Sequence, residues 1–279
     1  MKRILIPTDF SASALQAFLF GLEISSKAGS ELVVLHVLDM PLHFTSDLDG
    51  FDYSYEASVI KDLEEKARNM FEVWKKKYVK GNTRVKLKVL QGPIAFTIEN
   101  YIAKNKIDLV VMGTQGASGL KEFFVGSNTE KIVRYSKVPV IAVRKSVKLS
   151  AIKNIVVPTE LKLNRTAFIK EVVALQKFFS AKIHLVYVNT PVHFKASREL
   201  NGLAKDFMKH YKLKNCEAHI TNDLYEQDGI IAVTAQIPKS MIAMATNSRK
   251  GLAHFLMRSI AEDVVNHVEC PIWTYTNKR

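Results

Sequence analysis

The chain is written twice, and that fact constrains its fold more than anything else in it. Near the start stands Lys2-Arg-Ile-Leu-Ile-Pro-Thr-Asp9, and near the middle Lys153-Asn-Ile-Val-Val-Pro-Thr-Glu160. Each is a short apolar strand stopped by Pro-Thr and an acid. Leu32-Val-Val-Leu-His-Val37 is echoed by Ile183-His-Leu-Val-Tyr-Val188, and Pro41-Leu-His-Phe44 by Pro191-Val-His-Phe194. The tails align without a gap, Gly113 through Pro139 falling on Ala245 through Pro271. Gly119 and Leu120 meet Gly251 and Leu252, and Phe123 meets Phe255. Both tails close on a proline-led strand, Pro139-Val-Ile-Ala-Val143 and Pro271-Ile-Trp-Thr-Tyr275. Matches in the same order along the chain mean one supersecondary pattern built twice. The expected units are residues 1–146 and 151–279, with a short basic connector between them.

Within the first copy, strands alternate with helices. Ser11 to Ile24 carries Leu15, Phe18, Leu19 and Leu22 at helical spacing, with Ser11 or Ser13 as cap and Gly29 as stop. An irregular acidic stretch, Thr45 to Tyr53, precedes a long helix to about Tyr78. Arg84 to Leu90 alternates as a strand, Gly92-Pro93 launches a helix from Ile94 to Lys104, and Ile107 to Met112 and Val138 to Val143 are buried strands. Continuous apolar strands alternating with helices indicate a parallel sheet covered on both faces.

One loop in this frame carries chemistry. Gly113-Thr-Gln-Gly116, then Gly126-Ser127 after nine residues, joins the strand ending at Met112 to the helix Asn128-Thr-Glu-Lys-Ile-Val-Arg-Tyr135. Glycines there permit positive φ and close approach of a ligand. The unpaired N–H groups of a helix start attract an anion. Ser127 and Thr129 add hydroxyl donors. A P-loop needs Lys-Ser or Lys-Thr straight after its last glycine, and Gly126 is followed by Ser-Asn. A dinucleotide fingerprint has closer glycines on the first strand's turn.

The Gly-x2-Gly-x9-Gly-Ser spacing resembles the nucleotide-binding members of the universal stress protein family, Gly113, Gly116, Gly126 and Ser127 filling all four places. With both repeats, nearly the whole chain resembles a tandem member. The resemblance implies an α/β fold of two doubly wound, five-stranded parallel sheets of order 3-2-1-4-5. It also implies an internal pseudo-dimer, paired edge to edge through the fifth strands. ATP or AMP is the implied ligand, with Mg2+ able to accompany the triphosphate. Pro7, Thr8 and Asp9 then lie by the adenosine, the Val37 backbone bonds the adenine edge, and Met112 and Gly113 contact the ribose side. Gly116, Gly126, Ser127, Asn128 and Thr129 hold phosphates. From the residues alone, Asp9 reads equally as a cap, and Asn128 and Thr129 could cap their helix. His36 reads as a half-buried, satisfied histidine. In the second copy Ala245, Ser248 and Arg258 replace the three glycines and Glu160 replaces Asp9. That copy is expected not to bind a nucleotide in the same manner.

Composition excludes other classes. No run of about 18 apolar residues is present, so no membrane span is expected. Met1-Lys-Arg-Ile-Leu-Ile-Pro7 enters a strand at once, leaving no room for a signal peptide. The two cysteines, Cys216 and Cys270, form no Cys-x-x-Cys pair, so a reducing cytoplasm is expected. A zinc site combining them with His254 or His267 lacks a diagnostic spacing, and no metal ligand is assigned. The net charge of +13 is spread over helices, Lys75-Lys-Lys77 being its densest cluster. No recognition helix or aromatic platform accompanies it, so specific nucleic-acid binding is not expected. The early Ser-Gly-Gly-x-Asp-Ser loop of adenine-nucleotide hydrolases and ligases has no match in Pro7-Thr-Asp-Phe-Ser11. No general base or nucleophile is evident, so hydrolysis, if any, is expected to be slow. The reading is a nucleotide-dependent stress-response regulator with an unnamed protein partner. The alternative is a scaffold acting through its basic surface. Dimerisation of the whole chain is left open.

Overall fold

A computed structural model of the chain describes residues 1–39, 53–114, 126–246, 264 and 268–276. The first half runs β1 (Arg3–Thr8), α1 (Ala12–Ala28), β2 (Glu31–Leu38), α2 (Tyr53–Tyr78), β3 (Val85–Gln91), α3 (Ile94–Lys104), β4 (Leu109–Gly113), α4 (Ser127–Tyr135) and β5 (Val140–Val143). The second runs β6 (Asn154–Pro158), α5 (Thr166–Phe179), β7 (Lys182–Asn189), α6 (Ser197–His210), β8 (Cys216–Asn222), α7 (Glu226–Gln236), β9 (Ser240–Thr246) and β10 (Ile272–Thr276). The acidic stretch before Tyr53 lies outside the described residues, as do Gly116, Ser248, His254, Arg258 and His267.

Each half has the expected order 3-2-1-4-5, but the two sheets are one. The ten strands run β3-β2-β1-β4-β5-β10-β9-β6-β7-β8. Pairing is parallel within each half and antiparallel at the seam, where Ile272, Trp273 and Thr274 face Ala142, Ile141 and Val140. The proline-led strands thus cover each other's open edges, as apolar edge strands require. The remaining edges, β3 and β8, carry Lys86, Lys88, Glu217 and His219. Charges of this kind discourage further strand addition.

The seam also joins the cores. On one face, Ile4, Phe18, Phe71 and Trp74 of the first half belong to the same buried cluster as Phe168, Leu200, Phe207 and Trp273 of the second. On the other face each half keeps its own cluster, under α3 and α4 in the first and under α7 in the second.

α1 shows that helix periodicity finds the apolar face without saying how close the sheet comes. Ser11 is its cap, accepting from Ala14 N at 3.2 Å, and Gly29 ends it at φ 65°. Its most buried stripe is Ala14, Ala17, Phe18, Gly21 and Ser25, while Leu15 and Leu19 are only half-buried. Small residues bring α1 down onto the sheet. A Cβ at Gly113 would stand 2.8 Å from the backbone C and O of Ser13. Gly113 therefore serves the helix–sheet packing. In the second half, seven residues (159–165) separate Pro158 from α5, against four (8–11) in the first. There Phe168, Ile169 and Val172 fill the helix–sheet layer. A helix held off by phenylalanine needs no glycine beneath it, and the position is Ala245.

The cysteines cannot share a metal. Cys216 begins β8 and Cys270 precedes β10, four strand spacings apart or roughly 19 Å. Burial pushes the Cys216 thiol up to about 12 and also raises that of Cys270. Because the thiolate is the nucleophile, neither should react with Ellman's reagent at pH 8 in the native chain, and both should after unfolding. Rapid native labelling of either would show that the strand ends open.

Candidate functional site

β1 and β4 are neighbours whose connections leave in opposite directions, which opens a crevice beyond their carboxyl ends. A cavity of about 230 Å³ lies there. Pro7, Thr8, Asp9, Val37, Met112, Gly113, Gly126, Ser127, Asn128 and Thr129 all line it. Every site residue expected from the sequence is thus gathered except Gly116, which lies outside the described residues.

The end of β1 is a tight turn. The Phe10 amide donates to Thr8 Oγ1 at 2.9 Å, with Phe10 at φ 59°. The Ser11 amide donates to Asp9 Oδ1 at 3.0 Å, so Asp9 steadies the turn and leaves helix capping to Ser11. The His36 Nδ1 donates to the Thr8 carbonyl at 2.8 Å and its ring packs on Phe10 at 5.2 Å. His36 is thus the satisfied, half-buried histidine the sequence suggests.

Val37 owes its position to register. In a parallel strand both backbone groups of one residue face the same neighbour. Glu31 N bonds Lys2 O on the β1 side, so Val33, Leu35 and Val37 face β1 as well. Pairing with β1 ends at Thr8 opposite His36, whereas pairing with β3 continues through Val37 and Leu38. The next donor along β1 would be Phe10, and its amide turns to Thr8 Oγ1 instead. The Val37 carbonyl therefore faces the crevice as an acceptor.

α4 begins beside it. No side chain caps this helix at Gly126. The Gly126 amide itself donates to Thr114 O at 2.7 Å, which ties the start of α4 to the end of β4. Ser127, Asn128 and Thr129 present the first-turn amides. Two expectations need correction. Gly126 sits at φ −58°, ψ 140°, and neither it nor Gly113 uses positive φ. The Thr129 hydroxyl donates to Gly113 O at 2.8 Å and is 5% exposed, so it pins α4 to β4 and is not a spare donor.

The cavity also has walls that the sequence did not point out: Ala14, Leu35, Ile94 and Ile98. Ile94 and Ile98 stand one turn apart at the start of α3, so i,i+4 spacing after Gly92-Pro93 was the available signal.

The second half repeats the turn in a different setting. The Leu161 amide donates to Thr159 Oγ1 at 3.0 Å with Leu161 at φ 57°, matching Phe10. Glu160, however, pairs with Lys162 at 3.1 Å and Arg165 at 3.3 Å. Its cavity is wider, about 360 Å³, and Phe168, Tyr187, Met244 and Ala245 line it. No helix among the described residues is long and apolar enough to cross a membrane.

Known proteins resemble this chain in sequence and fold. The model of the universal stress protein family matches residues 1–144 and again 151–275. Universal stress protein MJ0531 of Methanocaldococcus jannaschii is 29% identical over 144 residues, covering 52% of this chain and 82% of that one. Universal stress protein YxiE of Bacillus subtilis is 29% identical over 140 residues, covering 49% and 93%. The crystal structure of a universal stress protein from Archaeoglobus fulgidus superposes with a TM-score of 0.76 at 19% identity, covering 99% and 98%, and shares the fold. Matched by the family model over both of its repeats, and with the strand order of the family in each half, the chain belongs to the universal stress protein family.

Proposed function

We propose that the first half binds an adenine nucleotide, ATP or AMP, and that the bound nucleotide regulates partner choice in a stress response. The observation that carries this reading is the single crevice in which the Val37 carbonyl, Asp9 and the uncapped start of α4 converge. An adenine amino group is a donor suited to the Val37 carbonyl. Ile94 and Ile98 offer an apolar wall to the base, and Asp9 an acceptor for a ribose hydroxyl. A cavity of about 230 Å³ suits the nucleoside, with phosphates lying outward on the amides of Ser127 and Asn128. There the helix start contributes about 0.3–1 kcal/mol to an anion. Gly116 would complete the cradle. Mg2+ would be held by phosphates and water, as its reluctance to dehydrate favours.

The second half is expected not to bind a nucleotide in the same manner, because its carboxylate is engaged by Lys162 and Arg165 and because Ser248 and Arg258 stand where the first half has Gly116 and Gly126. Calorimetry on the full chain should therefore give one adenine nucleotide per chain at micromolar affinity, about −7 to −8 kcal/mol. Mass spectrometry of material released on denaturation should identify it. No heat with ATP, ADP or AMP would sink the reading, and two equivalent nucleotides per chain would sink the asymmetry. A scaffold acting through basic surface is the second reading, supported by the exposed Lys75, Lys76 and Lys77 on α2. It predicts partner binding indifferent to nucleotide.

A further inference from the structure

We infer that His184, Glu217 and His219 form a site for a transition-series divalent cation, best suited to Zn2+, at the end of the second half remote from its cleft. No short stretch of sequence marks these as metal ligands, because His184 is distant in the chain from Glu217 and His219 and only strand pairing unites them. His184 is in β7, and Glu217 and His219 are in the neighbouring parallel strand β8. In register, His184 faces Glu217 and Val186 faces His219. Residues two apart in a strand share a face, so all three side chains project from the face on which Val186 packs with Ile230 of α7. Cys216, one residue before Glu217, belongs to the opposite face and is no ligand.

The hydrogen bonds fix which atoms carry lone pairs. Asn154 Nδ2 donates to Pro238 O at 2.8 Å, which orients the amide and turns its Oδ1 to His184 Nε2 at 2.9 Å. Oδ1 can only accept, so Nε2 carries a proton, and in the neutral His184 ring the lone pair is on Nδ1. That lone pair faces Glu217 Oε1 at 2.8 Å and His219 Nε2 at 2.9 Å, and His219 Nε2 is 3.1 Å from the same Oε1. Two acceptors at 2.8 Å repel each other. One proton on His219 can be shared between them, but a cation satisfies all three atoms at once.

The dimensions favour zinc. Metal–ligand bonds of 2.0–2.2 Å at tetrahedral angles separate ligand atoms by about 3.3–3.5 Å. The atoms here are a few tenths of an ångström closer, an opening that side-chain rotation supplies. Two imidazoles and a carboxylate form a borderline donor set. The Asn154 bond to the outer ring nitrogen is the usual support of a ligating histidine. Lys182 holds Glu217 Oε2 at 2.5 Å, so the carboxylate offers one oxygen and the lysine charge moderates affinity. The His184 side chain is 7% exposed, while those of Glu217 and His219 are 40% and 32% exposed, so water can reach a fourth position. Because β8 is the outer strand, a cation here would fasten that edge to β7.

The test is titration of the full chain with Co2+ and then Zn2+. One equivalent of Co2+ should bind with the intense visible bands of a four-coordinate site, and Zn2+ should displace it. Glu217→Gln and His219→Gln should each weaken binding at least ~10-fold while the metal-free circular dichroism stays that of the parent. Absence of stoichiometric binding would overturn the inference. So would parental affinity in both variants, which would place the metal elsewhere. Should a variant fail to fold, proton NMR of the Co2+-loaded parent decides: two shifted imidazoles support the site, and fewer overturn it.

Discussion

Replacing Gly126 by leucine is expected to lower affinity for ATP or AMP by at least about 100-fold, ~2.7 kcal/mol, with little change in melting temperature. Replacing Gly113 by valine is expected to cost about 1–3 kcal/mol of stability, whether or not a nucleotide is present. The two glycines sit in the same loop motif and do different things. Gly126 has φ −58° and ψ 140°, a conformation open to any residue, so its backbone tolerates a side chain. It lines the cavity beside the first-turn amides of α4, where a leucine would occupy the phosphates' approach. Gly113 lies under α1, and any Cβ there meets the Ser13 backbone at 2.8 Å. The helix must lift, which disturbs the small-residue contact of Ala14, Ala17 and Gly21. Calorimetry and thermal melting on both variants separate the roles. Parental affinity in Gly126→Leu would remove α4's start from the binding site, and an unchanged melting temperature in Gly113→Val would show that α1 yields freely.

Replacing Trp273 by alanine is expected to destabilise the chain by about 3–5 kcal/mol. Trp273, the second residue of β10, is 3% exposed and pairs across the seam with Ile141. Its ring stacks with Phe168 at 6.2 Å and Tyr275 at 5.9 Å. It belongs to the cluster that also contains Ile4, Phe18 and Ile141 of the first half. A cavity there loosens both halves, so urea unfolding should shift as one transition. A loss below ~1 kcal/mol, or a variant in which only the second half melts early, would mean that each half is stable without the seam.

Much of the candidate site was legible because it is built from contiguous words. Pro7-Thr-Asp9 ends a strand, and Gly126-Ser-Asn-Thr129 opens a helix, so local chemistry places each at a strand or helix end. Val37 was reached only through family resemblance, and its reason is tertiary: β1 stops at Thr8 while β3 continues. Thr129 was misjudged for the same kind of reason. A hydroxyl in the first turn of a helix looks like a ligand donor until the Gly113 carbonyl is found 2.8 Å away. Leu15 and Leu19 pack half-buried against the core beside a closer stripe of small residues, because periodicity reports an apolar face without saying how close the sheet comes.

The sequence by itself determined the alternation of strands and helices, the doubling of the unit and the family to which it belongs. The alternation follows from hydrophobic period and turn residues, which act within a few positions of one another, the doubling from segments repeated in the same order, and the family from the resemblance carried by the glycine spacing. The joining of the two sheets through their fifth strands was expected from the family resemblance, but only the tertiary structure decided the seam's antiparallel register, because that register depends on two edges separated by more than a hundred residues. It alone set Gly113 under Ser13, and it alone brought His184 beside Glu217 and His219. Such contacts depend on strand register and helix height, and neither is encoded in any short stretch of chain.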